Sequence, residues 1–166
     1  MKILIVSDTH RLDGNLKKVI EKTEPLDMLI HLGDSEGSEV KIAGWVNEGC
    51  ELEMVLGNND FFSNLEREKE IMIGRYRVLL THGHYYNVSL GVERLEQEAR
   101  YRQIDIVMYG HTHRPFYEVN KGLIVLNPGS LSYPRQEGRK PSYMLMEIDE
   151  EGEAHFTLNF VGKGGV

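Results

Sequence analysis

Short apolar segments recur along the chain, and each ends abruptly in polar or glycine-containing residues. Ile3–Val6 is followed by Ser7-Asp8-Thr9-His10, and Met28–Leu32 is followed by Gly33-Asp34. The same change occurs after Leu52–Leu56, Val78–Leu80, Ile104–Tyr109 and Leu123–Leu126. Runs of this length that are rich in Ile and Val are typical of strands buried on both faces. The pattern therefore predicts a core built on short, buried strands.

Amphipathic patterns between these segments predict helices that pack against the strands. The first predicted helix has one apolar face, formed by Leu16, Val19, Ile20 and Thr23. Asp13 or Asn15 is its candidate N-cap. The second has the apolar stripe Val92, Leu95 and Ala99. A weaker pattern predicts a third helix between Glu36 and Asn47, although Gly37 and Gly44 interrupt it.

The later part of the chain is predicted to be rich in paired strands. Glu70–Ile73 and Tyr76–Leu80 form a predicted hairpin, with its turn at Gly74-Arg75. Ser142–Ile148 and Ala154–Val161 form a second predicted pair, and the tail 162–166 is predicted to fray. No internal linker or repeat is visible. The sequence therefore predicts an α/β fold in a single domain over residues 1–166.

Charge and composition exclude several classes of function. The net charge of −7 argues against stable nucleic-acid binding through a basic surface, but it permits a small phosphate-bearing substrate at a metal centre. Cys50 is the single cysteine, so neither an internal disulfide nor a cysteine-based zinc cluster is expected. No apolar stretch approaches the length of a membrane helix and no signal peptide is visible, so we expect a cytoplasmic protein. The oligomeric state stays open.

The polar residues after the predicted strands form a set of metal-ligand types. Ligand sites of open α/β sheets lie beyond the carboxyl ends of the strands, where five of these segments place Asp, Asn or His. The candidate ligands are Asp8, His10, Asp34, Asn58, His82, His111 and His113. These mixed nitrogen and oxygen donors favour Mn, Fe, Zn, Co or Ni over Ca or Mg. Seven ligands suit two divalent ions with a bridging carboxylate, a centre with residual positive charge for an anionic phosphodiester.

The order of these motifs resembles the calcineurin-like metallophosphoesterase superfamily. The motifs are Asp8-x-His10, Gly33-Asp34, Gly57-Asn58-x-Asp60, His82-Gly83-His84 and Gly110-His111-x-His113. The segment from Asn127 to Arg135 is similar to the small YfcE-type phosphodiesterases of bacteria and archaea. The resemblance implies a four-layer α/β/β/α sandwich. It also implies one metal site of Asp8, His10, Asp34 and His113, and a second of Asp34, Asn58, His82 and His111.

The expected reaction is hydrolysis of a phosphodiester by a metal-bridging hydroxide that attacks phosphorus in line. Many members of the superfamily have a His general acid at the position of Asn59, so the identity of the acid is open. His84 or a metal-bound water is a substitute, and leaving groups that need little protonation are another solution. Asn59 is a candidate phosphate contact or turn support, Asp60 a candidate to orient a ligand, and Arg135 a candidate phosphate clamp.

Several alternatives remain open from the sequence. A protein-interaction scaffold on the same fold, as in the retromer subunit, predicts lost ligands and a large exposed apolar patch. A peptidase or lactamase-like dinuclear hydrolase is a second alternative. Manganese is the expected metal, with Zn, Fe, Ni or Co as alternatives. The natural substrate is open, and the lack of a rich basic pocket favours a singly charged diester. Tyr85 and Tyr86 are expected to pack in the cleft wall, and His31 in the core or beside a ligand.

Overall fold

The computed structural model of the protein describes residues 1–162. Within this range the strands are β1 (Lys2–Val6), β2 (Met28–His31), β3 (Glu51–Met54), β4 (Glu68–Ile73), β5 (Tyr76–Thr81), β6 (Ile106–Met108), β7 (Pro115–Asn120), β8 (Leu123–Pro128), β9 (Ser142–Ile148) and β10 (Ala154–Phe160). The helices are α1 (Gly14–Thr23), α2 (Glu39–Ala43) and α3 (Glu93–Tyr101), with a 3-10 helix at His84–Tyr86. The predicted fraying of the tail falls, apart from Gly162, outside the described residues.

The strands form two mixed five-stranded sheets. The first has the order β10-β9-β1-β2-β3, with β1, β2 and β3 parallel. The second has the order β4-β5-β6-β8-β7, with β5, β6 and β8 parallel. The two predicted strand pairs are confirmed as the antiparallel ladders β4–β5 and β9–β10.

Because side chains alternate along the central strands, the buried apolar residues form three core layers between the four layers of helices and sheets. Ile3 and Ile5 of β1 pack between the two sheets, against residues such as Leu80 of β5. Leu4 and Val6 of β1 face the other way, onto α1 and α2. The outer face of the second sheet packs on α3. The predicted four-layer α/β/β/α sandwich is therefore confirmed, and burial on both faces explains the unbroken apolar runs.

Both predicted amphipathic helices are confirmed, but three details differ from the prediction. The third helix is one short element, Glu39–Ala43, that begins after Gly37 and ends at Gly44. Asp13 occupies the N-cap position of α1 without a side-chain cap, since its carboxylate accepts hydrogen bonds from Ser38 and Lys41 instead. Asn15 does not cap the helix either, because its amide donates to the Leu131 carbonyl.

Strand β7 was not predicted from the sequence. It lies at the edge of the second sheet, pairs only with β8, and is largely solvent-accessible along its length. An edge strand that begins with Pro115 and carries exposed Glu118 lacks the apolar run that revealed the other strands. In residues 1–162, no helix has the length and apolarity needed to span a membrane.

Candidate metal centre

The ends of five parallel strands meet at one edge of the two facing sheets. Strands β1, β2 and β3 of the first sheet and β5 and β6 of the second end in loops that contribute to this edge. The loops carry the seven candidate ligands Asp8, His10, Asp34, Asn58, His82, His111 and His113. Side chains separated by up to 103 residues are thereby in contact.

One group of ligand atoms forms around Asp8, His10 and His113. The Oδ1 atom of Asp8 lies 3.2 Å from Nε2 of His113 and 3.9 Å from Nε2 of His10. The two histidine Nε2 atoms are themselves only 3.2 Å apart. Asp8 and His10 lie in the loop after β1 of the first sheet and His113 follows β6 of the second, so the group closes the edge between the two sheets.

A second group forms around Asp34 and His82, with Asn58 and His111 beside it. Nε2 of His82 lies 3.4 Å from Oδ2 of Asp34 and 3.0 Å from Oδ1 of Asn58. That same Asn58 oxygen is 2.9 Å from Nδ1 of His111. Oδ2 of Asp34 also lies 3.7 Å from Nε2 of His10, so it stands between the two groups. Asp8 Oδ1 holds a similar middle position, 3.9 Å from His82.

Backbone carbonyls fix which ring nitrogen of two of these histidines carries the proton. Nδ1 of His82 contacts the Leu32 carbonyl at 2.6 Å, and Nδ1 of His113 contacts the Tyr133 carbonyl at 2.7 Å. A carbonyl only accepts, so Nδ1 donates and Nε2 of each neutral ring presents a lone pair. Nδ1 of His10 faces the carboxylate of Glu36 at 2.6 Å, which has the same effect.

This donor set fits a bound cation. The Nε2 atoms of His10, His82 and His113 converge on the carboxylates of Asp8 and Asp34. Oδ1 of Asp8 is fully buried and has no hydrogen-bond partner within residues 1–162. Acceptors that face one another in a buried place are costly unless a positive charge lies between them. Neutral imidazoles with an anchored second nitrogen are the usual form of metal-ligating histidine.

The charges of the group shift several pKa values. Burial raises the pKa of Asp8, but the neighbouring His82 and His113 outweigh it and hold the pKa below its usual range. Asp34 behaves similarly, since bonds from His82 and Asn59 overcome its burial and lower its pKa. Burial lowers the pKa of His82, yet Asp8 and Asp34 prevail and raise it to about 9. In the absence of a metal, a proton on His82 therefore supplies the positive charge that the aspartates demand.

The backbone at this edge is strained. Five of the seven candidate ligands have positive φ angles between 45° and 67°: Asp8, His10, Asp34, His111 and His113. Non-glycine residues adopt this conformation rarely and at some energetic cost, and such residues concentrate at functional sites. Glycine is required at close approaches nearby. A Cβ at Gly57 would overlap Oδ1 of Asp34, and a Cβ at Gly110 would overlap Oγ of Ser7.

Asn59 and Asp60 hold the loops of the two ligands Asp34 and Asn58. The backbone N–H and the side-chain amide of Asn59 both donate to the Asp34 carboxylate at 2.8 Å. The buried carboxylate of Asp60 accepts from the backbone N–H groups of Asp34 and Gly57, each at 2.7 Å. Both side chains thus orient a candidate ligand, as proposed for Asp60, while the amide of Asn59 is directed at Asp34.

His84 packs against the ligands from the side of the second sheet. Its ring centroid is 5.4 Å from that of His82 and 6.0 Å from that of His111, and it is half-buried. Burial, followed by the charges of His82 and His111, lowers the pKa of His84 to about 4. A neutral ring near pH 7 is a weak candidate for the general acid.

The two tyrosines and His31 contact residues other than the seven candidate ligands. Tyr85 is half-exposed, and the guanidinium of Arg67 lies 4.7 Å from its ring centre. The hydroxyl of Tyr86 donates to Glu68. His31 is fully buried, and its Nε2 contacts Oγ1 of Thr9 at 3.0 Å, as expected for a core residue.

An open cleft of about 700 Å³ borders the group of His10 and His113, and Arg135 lines it. Sequence reasoning selected Arg135 but missed Arg114 and Arg139, which line the same cleft. The expectation that the site lacks a rich basic pocket is therefore wrong. The three arginines come from loops that no local motif connects, so only the fold brings them together.

Sequence reasoning also missed the residues that fix the ligands in place. Glu36 anchors His10, and Tyr133 anchors His113 through its carbonyl. The buried amide of Asn127 donates to the Gly110 carbonyl at 2.8 Å and so holds the loop of His111 and His113. Ser7 donates to Oδ2 of Asp8, and Ser130 donates to the Asp8 carbonyl. Only the segment that contains Asn127 and Ser130 had a sequence signal.

Sequence comparisons match this arrangement to phosphoesterases. A family model described as the calcineurin-like phosphoesterase superfamily domain matches residues 1–151. The chain is 30% identical over 169 residues to the probable metallophosphoesterase YsnB of Bacillus subtilis, covering 99% of this chain and 93% of that protein. It is 29% identical over 171 residues to the phosphodiesterase YfcE of Escherichia coli, covering 90% of this chain and 89% of that protein.

Comparisons of structures find the same fold in a predicted phosphoesterase and in Vps29. A predicted phosphoesterase from Streptococcus pneumoniae superposes with a TM-score of 0.80 at 27% identity, covering 96% of this chain and 88% of that one. A Vps29 single mutant from Entamoeba histolytica gives a TM-score of 0.77 at 24% identity, covering 98% and 100%. The second likeness bears on the fold alone.

Proposed function

The chain belongs to the calcineurin-like phosphoesterase superfamily, and from that premise we propose that it is a phosphodiesterase that works with two divalent metal ions. The observation that carries this proposal is the convergence of the Nε2 atoms of His10, His82 and His113 on two buried carboxylates. Manganese is the expected ion, and Zn, Fe, Ni or Co are alternatives for the same nitrogen and oxygen donors.

The proposed ligands divide into two overlapping sets. Asp8, His10, Asp34 and His113 would hold one ion, and Asp34, Asn58, His82 and His111 would hold the other. The distances from Asp34 Oδ2 to His10 and His82, 3.7 and 3.4 Å, support Asp34 as the shared ligand. When bound, such ions lower the pKa of water and neutralise charge on the oxygens of a phosphate.

Residues beside the ligands have positioning roles in this proposal. Asn59 and Asp60 orient Asp34 and its loop, and Glu36 orients His10. Precise placement matters because a displacement of about 1 Å costs on the order of a hundredfold in rate. His84 packs on the rings of His82 and His111 and is neutral near pH 7. A neutral His84 supports substrates with leaving groups that need little protonation, such as aryl esters of phosphate.

The test of the proposal is metal content together with hydrolysis of bis(p-nitrophenyl) phosphate in Asp34→Asn and His82→Ala. Loss of the shared carboxylate or of a buried ligand should reduce kcat/KM by roughly 10³-fold, since charge stabilisation in the transition state is lost. Bound metal should fall from two ions per chain. Glu68→Gln, whose carboxylate contacts Tyr86 and Arg102 rather than a ligand, is the control and should keep both metal and activity.

Three results would contradict the proposal. Both variants could retain two metal ions and full hydrolysis, which would remove the assigned ligands from the reaction. The unaltered protein could also bind no metal and cleave no diester, which would instead fit a protein-interaction scaffold on the same fold. A preference for peptide or lactone substrates would indicate a different dinuclear hydrolase.

A further inference from the structure

Three arginines surround the cleft beside the candidate metal centre. Arg114, Arg135 and Arg139 line the same cleft of about 700 Å³ as His10 and His113. Tyr133 completes one wall, with its ring packed edge-on at 5.4 Å from that of His10. A volume in this range holds a nucleotide-sized ligand, which is much larger than a single phosphate group. The cleft therefore has room for more of a substrate than its reacting phosphate.

The side chains of these arginines have no hydrogen-bond partner in the described part of the fold. Arg75, Arg77 and Arg102 each form a salt bridge to a glutamate. Among residues 1–162, the guanidinium groups of Arg114, Arg135 and Arg139 have no carboxylate within salt-bridge distance. The chain has a net charge of −7, so acidic partners for arginine are abundant elsewhere on it. Other arginines also lack a salt bridge, but these three exposed guanidinium groups line one cleft, where together they are available to a ligand.

The charge of the cleft matches one phosphate monoester. Glu36 is the acidic residue that lines it, and its carboxylate is already bonded to His10. Three guanidinium charges less the charge of Glu36 leave two positive charges. A phosphate monoester carries about −1.5 to −2 at pH 7, and arginine matches phosphate oxygens with paired hydrogen bonds. A singly charged diester would leave this cleft only partly neutralised.

Two of the arginines also connect the cleft to a neighbouring one. Arg114 and Arg135 line a second cleft of about 700 Å³, whose other walls include the exposed Leu90 and the ring of Phe116. The guanidinium groups thus stand between the metal centre and a further, more apolar groove. A substrate that reached from the metal centre across the arginines would have space for its remaining part.

We propose that Arg114, Arg135 and Arg139 bind a second phosphate group, so that the preferred substrate is a small phosphodiester that carries an additional phosphate monoester. A nucleoside with an ester-linked phosphate at one end and a free phosphate at the other has this chemistry. This inference rests on the proposed function, because it places the reacting phosphate at the metal centre. A long nucleic acid is a poorer match, since the acidic surface outside the cleft would repel its backbone.

The test compares two chromogenic substrates that differ in one phosphate. One is the p-nitrophenyl ester of thymidine 5′-phosphate, and the other carries a free 3′-phosphate as well. The unaltered protein should have a kcat/KM about tenfold or more in favour of the second, through KM, as expected for charge-assisted hydrogen bonds. Arg139→Ala and Arg114→Ala should bring this ratio close to one. Arg94→Ala removes an exposed arginine of α3 outside the described clefts and should leave the ratio and the activity unchanged.

A binding experiment distinguishes an error in this inference from an error in the proposed function. Calorimetry with thymidine 3′,5′-bisphosphate should show affinity that Arg139→Ala weakens about tenfold and Arg94→Ala does not. If neither ester is hydrolysed, the proposed function fails and this binding alone decides the arginine site. If both esters are cleaved equally well and Arg139→Ala binds like Arg94→Ala, the arginine site is wrong while the phosphodiesterase stands.

Discussion

Two clusters of charged side chains in this molecule are built in opposite ways. Around Arg102, donors meet acceptors: its guanidinium donates to Glu98 at 2.6 Å and to Glu68 at 2.9 Å. At the ends of the strands, candidate acceptors meet one another: Nε2 of His10 and Nε2 of His113 lie 3.2 Å apart, next to Oδ1 of Asp8, which has no hydrogen-bond partner among the described residues. Both clusters contain acids and bases close together, so proximity of charge alone does not distinguish them.

The two clusters differ in whether the chain itself supplies a hydrogen-bond partner for every charged group. The Arg102 cluster is solvent-accessible and complete, and exposed pairs of this kind contribute little to stability. The other cluster is buried: Asp8 and His82 have no exposed surface. Without an added positive charge, it keeps a proton on His82 to balance its aspartates. A buried cluster whose charged groups are not all paired within the chain indicates a ligand site. A fully paired cluster at the surface indicates a role in stabilising the fold locally.

Among changes that leave every candidate ligand in place, closing the space at the incomplete cluster should have the largest effect. In Gly110→Ala, the new Cβ would overlap Oγ of Ser7 and lie 3.0 Å from Oδ2 of Asp8, so the loop of His111 must shift. We expect kcat/KM for bis(p-nitrophenyl) phosphate to fall about a hundredfold, the cost of a misplacement near 1 Å. Gly14→Ala is the matched control, because no atom lies within 4 Å of its added Cβ. Equal activity in the two variants would show that the geometry of this edge does not govern the reaction.

Supplying the missing charge should stabilise the fold. Chelator-treated protein should gain about 2.7 kcal/mol when Mn²⁺ reaches a hundred times its Kd. For a domain of this size the gain raises Tm by roughly 5–10 °C, measurable by scanning calorimetry. In His82→Ala most of the increase should disappear, whereas Glu68→Gln should retain it. An increase of the same size in His82→Ala would place the metal elsewhere.

A smaller effect is expected from the carboxylate that anchors a ligand. Glu36→Gln weakens the hold on Nδ1 of His10, now bonded at 2.6 Å. Partners of this kind alter metal affinity by about ten- to a hundredfold, and we expect a value near the lower limit because Gln retains one acceptor. Titration with Mn²⁺ measures the change in Kd. Glu39→Gln is a suitable control, since Glu39 contacts Ser63 rather than a ligand. An unchanged Kd in Glu36→Gln would show that His10 needs no anchor.

The smallest effect should come from the complete cluster. Arg102→Ala removes the bonds to Glu98 and Glu68, and the free energy of unfolding should fall by about 1 kcal/mol or less. Denaturant titration measures this change. Activity and metal content should match those of the unaltered protein. A large loss of activity or of bound metal would show that the Arg102 cluster and the candidate metal centre are coupled.

Much of the fold follows from the sequence because its strands are buried on both faces. Burial requires unbroken apolar runs, and the runs in β1, β2 and β5 are visible without a structure. Edge strands escape this signal, since β7 needs only one partner and carries polar side chains. Asp13 was a plausible N-cap by position, but its carboxylate accepts hydrogen bonds from Ser38 and Lys41, which are distant in sequence.

The candidate site was predictable in its residue types but not in its surroundings. Histidines and aspartates directly after strands carry a signal because all parallel strands end at the same edge. Glu36, Arg114 and Arg139 carry no such signal, since an isolated acid or arginine in a loop is usually a solvated surface residue. Only their positions in space, beside His10 and in one cleft, set them apart.

Asp60 has a consequence for how the centre assembles. Its carboxylate accepts from backbone N–H groups on both sides of the gap between two loops, at Asp34, Glu36 and Gly57. The segments that follow β2 and β3 are thereby tied into one unit, and neither can drift without the other. The ligand loops are therefore already positioned before a cation binds, so binding requires little further ordering of the chain.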